Sequence, residues 1–330
     1  IAYYKLRTGR WTPMHVTAGV LLMSITGLLL YVPVSYFYEK SLAPRQPFHA
    51  HLQLFPHDIS LPDRSDNTLV IAFLGGSTTE FTNWTSEVGR ILQAQFPDRK
   101  VITLNQGVQW YTVLHSLINY ETNVRHVKPD YVVVMEAIND LTVNADHSYY
   151  VNGRFRRDYG HHTGPLTRLA RTRPLLDLTV DVARHMFFWR RREVIDTDVF
   201  PGLPVFTGYY KRLVQLIRLD GSRPVVMAQP YLYKPQMTEE EKSHLYMRVQ
   251  NSTGPDKVWS IDTARRGMEQ YVGAVRELAK SESVPLIDLE AAMPKDMKYF
   301  KDDCHYTEAG AALVAQRVSA SLAELIRESP

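Results

Sequence analysis

The chain has 330 residues, 45% hydrophobic and 22% charged, which fits a globular protein with one large core plus additions. A formal net charge of +3 is too small to point to nucleic acid. The single cysteine, Cys304, excludes an intrachain disulfide framework and a cysteine-based zinc site.

Met14 to Tyr38 contains no Asp, Glu, Lys or Arg. At about 1.5 Å per residue it is long enough to cross a bilayer core of about 30 Å. Trp11, Tyr31, Tyr36 and Tyr38 stand near its ends, as interfacial aromatics do. Its rivals are a buried core helix and a cleaved signal peptide; the second is disfavoured by the length of the run and the lack of a small-x-small cleavage site. Lys5, Arg7 and Arg10 before it, against Glu39, Lys40 and Arg45 after it, favour a cytoplasmic N-terminus. Residues 1–45 are thus expected to form an N-terminal segment with a single transmembrane helix, and the main domain to face the periplasm, the exterior or a lumen. Residues 46–66, with Pro47, Pro56 and Pro62, read as an extended linker, and 67–330 as the domain proper.

Leu69 to Leu74 is an unbroken apolar run, the pattern of a strand buried on both faces. Gly75 and Gly76 break it, Ser77 follows, and Thr78 to Phe96 has helical spacing. A serine between a buried strand and a helix start lies at the carboxyl edge of an α/β sheet, with free backbone N–H groups around it. A structural or phosphate-binding Gly-Gly-Ser turn is the alternative, although the Lys of a phosphate-binding loop is missing. Lys100–Leu104 is a second strand ending at Asn105-Gln106-Gly107, and a helix is expected from about Val113 to His126. Tyr131–Met135 is a third strand, followed by Glu136-Ala137-Ile138-Asn139-Asp140. This alternation predicts a parallel sheet.

Regular alternation then stops, and about 141–222 reads as an insertion rich in arginine. Within it Leu175–Trp189 is an apolar-rich helix ending at Arg190-Arg191-Arg192. It is either a solvated helix packed on the domain or a contact with anionic headgroups or an integral membrane partner. Pro224–Ala228 is a fourth strand, with Gln229-Pro230 at the same sheet edge. Met237–Leu278 reads as mostly helical, with Thr238 capping an acidic first turn. Val284–Leu289 is a fifth strand and Thr307–Arg327 a final amphipathic helix.

Loops after three successive strands bring Ser77, Gly107 and Asn139 to one edge of the sheet. Ahead of the last helix stands Asp302-Asp303-Cys304-His305. Acyl transfer needs a nucleophile, a base, an orienter and oxyanion donors. Ser77 would attack, His305 would take its proton, and Asp302 would fold back to hold the imidazole, with Asp303 as rival orienter. The N–H groups of Ser77 and Gly107 and the amide of Asn139 would hold the oxyanion. Asp140 reads as a turn cap or a brace for Asn139, Cys304 as a packed side chain, and His115 and His126 as helix-surface residues. His161 and His162 lack partners spaced to complete a metal site.

The set Gly75-Gly76-Ser77, Gly107, Asn139-Asp140 and Asp302-x-x-His305, in this order over roughly 67–327, resembles the SGNH, or GDSL-like, hydrolase family. The resemblance implies a flavodoxin-like, doubly wound, five-stranded parallel sheet. It also implies esterase, lipase or acyltransferase chemistry without metal or organic cofactor. Ala137 stands where the family usually has Gly. The expected function is a membrane-anchored serine esterase or acyltransferase outside the cytoplasm, acting on O-acyl esters of a glycan or a lipid. The alternative is a catalytically quiet scaffold subunit of a membrane complex.

Overall fold

A computed structural model of the chain describes residues 17–19, 21–27, 31, 59, 64–143, 193–245 and 257–328. The chain divides into two compact units, one combining 1–47 with 163–187 and the other 48–162 with 188–330. In the first unit, residues 17–19 and 21–27 are helical, and Leu21, Leu22, Met23 and Ile25 are exposed.

The second unit is organised by β1 (Thr68–Gly75), in which every residue is buried. A strand buried on both faces needs cover on both sides, and the sequence supplies it in strand–helix alternation. The short α1 (Ser77–Glu80) and α2 (Trp84–Gln95) lead to β2 (Lys100–Gly107); α3 (Val113–Thr122) leads to β3 (Tyr131–Met135). After α4 (Ile138–Val143) come β4 (Glu193–Ile195), α5 (Leu203–Leu219), β5 (Arg223–Met227) and α6 (Glu239–Ser243). β6 (Lys257–Trp259), α7 (Ile261–Ser281), β7 (Leu286–Ile287), α8 (Leu289–Ala292) and α9 (Glu308–Arg327) complete the unit. The main sheet runs β2-β1-β3-β5-β7, every pair parallel, while β4 and β6 form a separate parallel pair. Counting only the strands of the main sheet, this is the doubly wound flavodoxin-like order. Gly75 is level with both Gly107 and Met135, so three strands end together.

Several elements differ from the sequence reading. The helix expected over Thr78–Phe96 is two helices, because Thr82 and Asn83 take left-handed backbone angles (φ 68° and 51°) that no right-handed helix can include. Within the stretch read as an insertion, α5 buries Phe206, Tyr210, Leu213, Val214 and Ile217 and is the crossover between β3 and β5. Pro204 is tolerated in its first turn, where no backbone N–H is needed. Met237–Leu278 contains β6 between two helices, and 246–256 lie outside the described residues. The apolar and arginine-rich helix of 175–192 and the His161–His162 pair also lie outside them.

Among the described residues, the helix long and apolar enough to cross a membrane is α9, at the C-terminal end rather than at 14–38. Half of that stretch is buried, with Val314, Val318, Leu322 and Ile326 turned inward, so it serves the core. Most of the span expected at 14–38 lies outside the described residues.

His115 is a correction. The sequence pattern predicts a surface residue, yet His115 is fully buried in the first turn of α3, stacked on Tyr111 at 5.1 Å between ring centroids. Its Nδ1 accepts the Thr112 N–H at 3.2 Å and lies 2.8 Å from the Thr112 hydroxyl. This is a capping box with histidine in the place usually held by Glu or Gln. A ring nitrogen that accepts must be unprotonated, and burial pushes the His115 pKa down to about 3. His126 is exposed, as expected.

A histidine kept neutral in the fold contributes stability that is complete above its ordinary pKa of 6.5 and is lost as pH falls toward about 3. His115→Gln keeps an acceptor for Thr112 but cannot titrate. The parent's melting temperature is expected to fall relative to that of His115→Gln between pH 6.5 and about 4. A difference between the two that stays constant across this range, measured by thermal denaturation, would refute the assignment.

Candidate active site

The level ends of β1, β2 and β3 decide what meets. Gly76 caps α1, so Ser77 is its first residue. Asn139 sits in the first turn of α4, just past β3. The loop carrying Asp302 to His305 is tied down from both sides: the Leu232 N–H donates to Asp303 O at 2.8 Å, and the Lys301 N–H donates to His305 O at 2.8 Å. Thr307 caps α9 directly behind it by accepting the Gly310 N–H at 3.1 Å.

This frame brings Ser77, His305 and Asp302 together. Ser77 Oγ is 2.7 Å from His305 Nε2, and His305 Nδ1 is 2.9 and 3.0 Å from the two Asp302 carboxylate oxygens. The carboxylate folds back because Asp302 Oδ1 also accepts the N–H groups of Cys304 (3.0 Å) and His305 (2.9 Å). Burial pulls the Asp302 carboxyl upward, but the His305 and backbone hydrogen bonds prevail and hold it below the usual carboxylate range. Asp303, the rival orienter, is buried and its carboxylate accepts the Tyr233 hydroxyl. Cys304 is fully buried, and burial together with the neighbouring Asp302 and Asp303 pushes its thiol well above the ordinary range.

The expected oxyanion donors fare unequally. The first N–H groups of a helix have no intrahelical acceptor, and Ser77 occupies that position. The Asn139 amide donates one hydrogen to Tyr111 O at 2.8 Å, and an amide carries two. The Gly107 N–H donates to Asn105 Oδ1 at 3.0 Å, so it is already committed. That is a departure from the expectation, with a local cause: a side-chain oxygen two residues back competes for the same donor. Asn105 is held for this by its own amide, which donates to Thr79 O at 2.9 Å. Ala137 is fully buried at the start of α4.

Among the described residues, the group with metal-ligand chemistry is Asp302, Cys304 and His305, whose donor atoms lie within 4.8 Å. Asp302 and His305 are spent on each other and the thiol is held protonated by burial, so this donor set does not suit a cation.

Sequence reasoning placed Gln229 only at the sheet edge. It is buried, its Oε1 accepts the Ile138 N–H at 2.9 Å, and its Nε2 donates to Thr78 Oγ1 at 3.1 Å. One side chain thus ties the turn carrying Ser77 to the turn carrying Asn139. Gln229→Leu would leave a backbone N–H and a hydroxyl buried without a partner, at about 1–3 kcal/mol each. The expected loss is about 2 kcal/mol or more in urea unfolding, and Gln229→Glu, which can still accept from both, should lose less. Equal stability of parent and Gln229→Leu would show that the strut carries nothing.

No curated protein matches this chain at a significant level. Among solved structures, an acetylxylan esterase from Geobacillus stearothermophilus is 18% identical, covering 77% of this chain and 94% of its own at a TM-score of 0.48. A lipase/acylhydrolase from Enterococcus faecalis is 15% identical, with 77% and 95% coverage and a TM-score of 0.46. An alpha/beta hydrolase enzyme from the metagenome of Lake Arreo, Spain, is 16% identical, with 77% and 95% coverage and a TM-score of 0.48. These likenesses are too distant to bear on substrate. The model of the GDSL-like Lipase/Acylhydrolase family matches residues 73–313, a stretch that contains the Ser77 turn, Asn139 and the Asp302–His305 loop, and the chain belongs to that family as a hydrolase.

Proposed function

We propose that the protein is a serine esterase or acyltransferase acting on O-acyl esters of a glycan or a lipid, with Ser77 as nucleophile, His305 as general base and acid, and Asp302 as orienter. The observation that carries this reading is the unbroken hydrogen-bond relay, 2.7 Å from Ser77 Oγ to His305 Nε2 and 2.9 Å from His305 Nδ1 to Asp302. Attack by Oγ on the ester carbonyl sends its proton to Nε2, and the ionised Asp302 stabilises the imidazolium that forms. Negative charge then develops on the carbonyl oxygen, for which the Ser77 N–H and the second Asn139 amide hydrogen are the donors at hand. Gly107 joins them only by giving up its bond to Asn105.

The proposal extends to the setting of the domain. The apolar run 14–38 would anchor the chain in a bilayer with its N-terminus in the cytoplasm and the hydrolase domain outside, next to membrane-bound ester substrate and within reach of an integral membrane partner. What supports it is the length of that run and the Lys5, Arg7 and Arg10 flank.

Ser77→Ala and His305→Ala are each expected to abolish ester hydrolysis and labelling by a fluorophosphonate probe without unfolding the domain. Asn139→Ala should lower kcat by about 100- to 1,000-fold, the usual loss for one oxyanion donor. Near-parental turnover by purified Ser77→Ala would remove the assignment. For the anchor, the full chain should stay with membranes in alkaline carbonate, and protease added to intact cells should reach the domain. Extraction into the soluble fraction would count against the span.

A further inference from the structure

Large apolar side chains of the second unit are mostly buried, and Phe81 is a departure beside the site. It follows Ser77 by four residues, and its backbone N–H closes α1 on Ser77 O at 2.9 Å. The residue is 41% exposed. The ring centroid is 5.7 Å from that of His305, tilted by 39°. The next residues explain why it stays outside. Thr82 and Asn83 both have positive φ without being glycine, which for a β-branched residue is a rare conformation. That double left-handed step turns the chain so that Trp84, and not Phe81, enters the core. Trp84 is buried edge-on against Phe73 at 5.2 Å, and its indole N–H donates to Thr78 O at 2.9 Å. Backbone strain held in place beside a reactive pair is a reason to ask what the displaced ring does.

The chemistry answers through geometry. On the serine-hydrolase reading, on which this inference rests, Ser77 Oγ bonds to the acyl carbon and its proton passes to His305 Nε2. The ester C–O bond then breaks, and the same proton goes from Nε2 to the departing alcohol oxygen. Water later cleaves the acyl-serine by the reverse route, releasing the carboxylic acid. The departing oxygen must therefore reach Nε2, which puts the alcohol part of the ester on the His305 side. Among the described residues, Phe81 is the exposed aromatic ring packed against His305. A flat aromatic face is well covered by a ring alcohol with a broad C–H face and poorly by a short alkyl alcohol. A sugar offers such a face while keeping its other hydroxyls in water.

We propose that Phe81 is the platform of a leaving-group subsite that takes sugar alcohols, so that the substrate class is O-acylated carbohydrate. The subsite would act on selectivity, leaving the relay atoms to Ser77, His305 and Asp302.

The test compares the full-length parent with Phe81→Ala and Phe81→Trp on two esters, an acetylated methyl glucoside and methyl acetate. Phe81→Ala is expected to lower the ratio of kcat/KM for the sugar ester over methyl acetate by about tenfold, chiefly through KM, the range for one apolar contact. Phe81→Trp should keep that ratio within about threefold of the parent's. A second readout needs no turnover: saturation-transfer NMR on Ser77→Ala should show contact between protein aromatic protons and the intact sugar ester, and Ser77→Ala/Phe81→Ala should lose it. Equal losses on both esters would overturn the proposal, because Phe81 would then only prop His305. So would an unchanged ratio, or the same NMR transfer with and without the ring. If the parent cleaves methyl acetate but Ser77→Ala shows no ring-dependent transfer, the sugar subsite falls and the esterase stands. If the parent cleaves neither ester yet the transfer depends on Phe81, the esterase reading falls and takes the leaving-group role with it, and Phe81 is left as a sugar-binding ring alone.

Discussion

Three strand ends meet at one edge of this sheet more closely than any side chain would allow. A methyl group at Gly75 would stand 2.2 Å from Thr79 Oγ1 and 2.8 Å from Met135 O. One at Gly76 would stand 2.4 Å from Asn139 Nδ2, and one at Gly107 would stand 2.6 Å from Glu80 N. Two of those obstacles are backbone atoms of neighbouring elements, which cannot swing aside. The missing Cβ atoms therefore set how deeply the turn after β1 nests between the ends of β2 and β3. That depth decides where Ser77 sits, and with it which side chains can come within hydrogen-bond reach of its hydroxyl.

The nest is then braced by polar groups that have been taken out of water, where each bond unmade would be costly. Gln229 spans the first and third turns. Tyr233 and Leu232, beyond β5, hold Asp303 by its carboxylate and its carbonyl. The Tyr306 hydroxyl donates to Met135 Sδ at 3.7 Å. Below this, Lys295 lies 3.4 Å above the Tyr231 ring and 2.9 Å from Glu290, which also pairs with Arg276. The loop carrying His305 is thus fixed by its neighbours on both sides. A relay held this way needs little reorganisation when charge develops, which is the physical content of a preorganised site.

Much of this was legible in the chain, for reasons that differ by residue. Leu69 to Leu74 reads as a doubly buried strand because its apolar run is short and ends on two glycines, which places Ser77 at the carboxyl edge of the sheet. Asp302 and His305, three apart ahead of a capped helix, were readable because the carboxylate needs only a local turn to reach the ring. Other features depend on contacts that no local pattern carries. α5 opens on Leu-Pro and carries Gly208 in its second turn, so its apolar spacing was lost against the arginine-rich stretch before it. His115 looked like a surface histidine because its partners, Thr112 and the Tyr111 ring, matter only once the sheet buries them. The capture of the Gly107 N–H by Asn105 depends on a side-chain conformation set by Thr79, far earlier in the chain.

The carboxyls of this sheet edge are sorted by environment. Glu136 and Asp140 flank Asn139 on the chain and are buried; the Ser116 hydroxyl donates to Glu136 at 2.7 Å, and the Val113 N–H donates to Asp140 at 3.1 Å. Burial pushes both well above the ordinary range, and the charge of Asp140 pushes Glu136 up further. Asp302, also partly buried, moves the other way because His305 and two backbone N–H groups favour its charge. The ionised form is therefore favoured at the imidazole and disfavoured around Asn139. On the proposed reading this division has a consequence for the reaction. A carboxylate beside Asn139 would repel the oxyanion, whereas a carboxylate on His305 stabilises the imidazolium formed in the same step. The fold meets both demands with one device, the depth at which each acid is buried relative to the N–H groups around it.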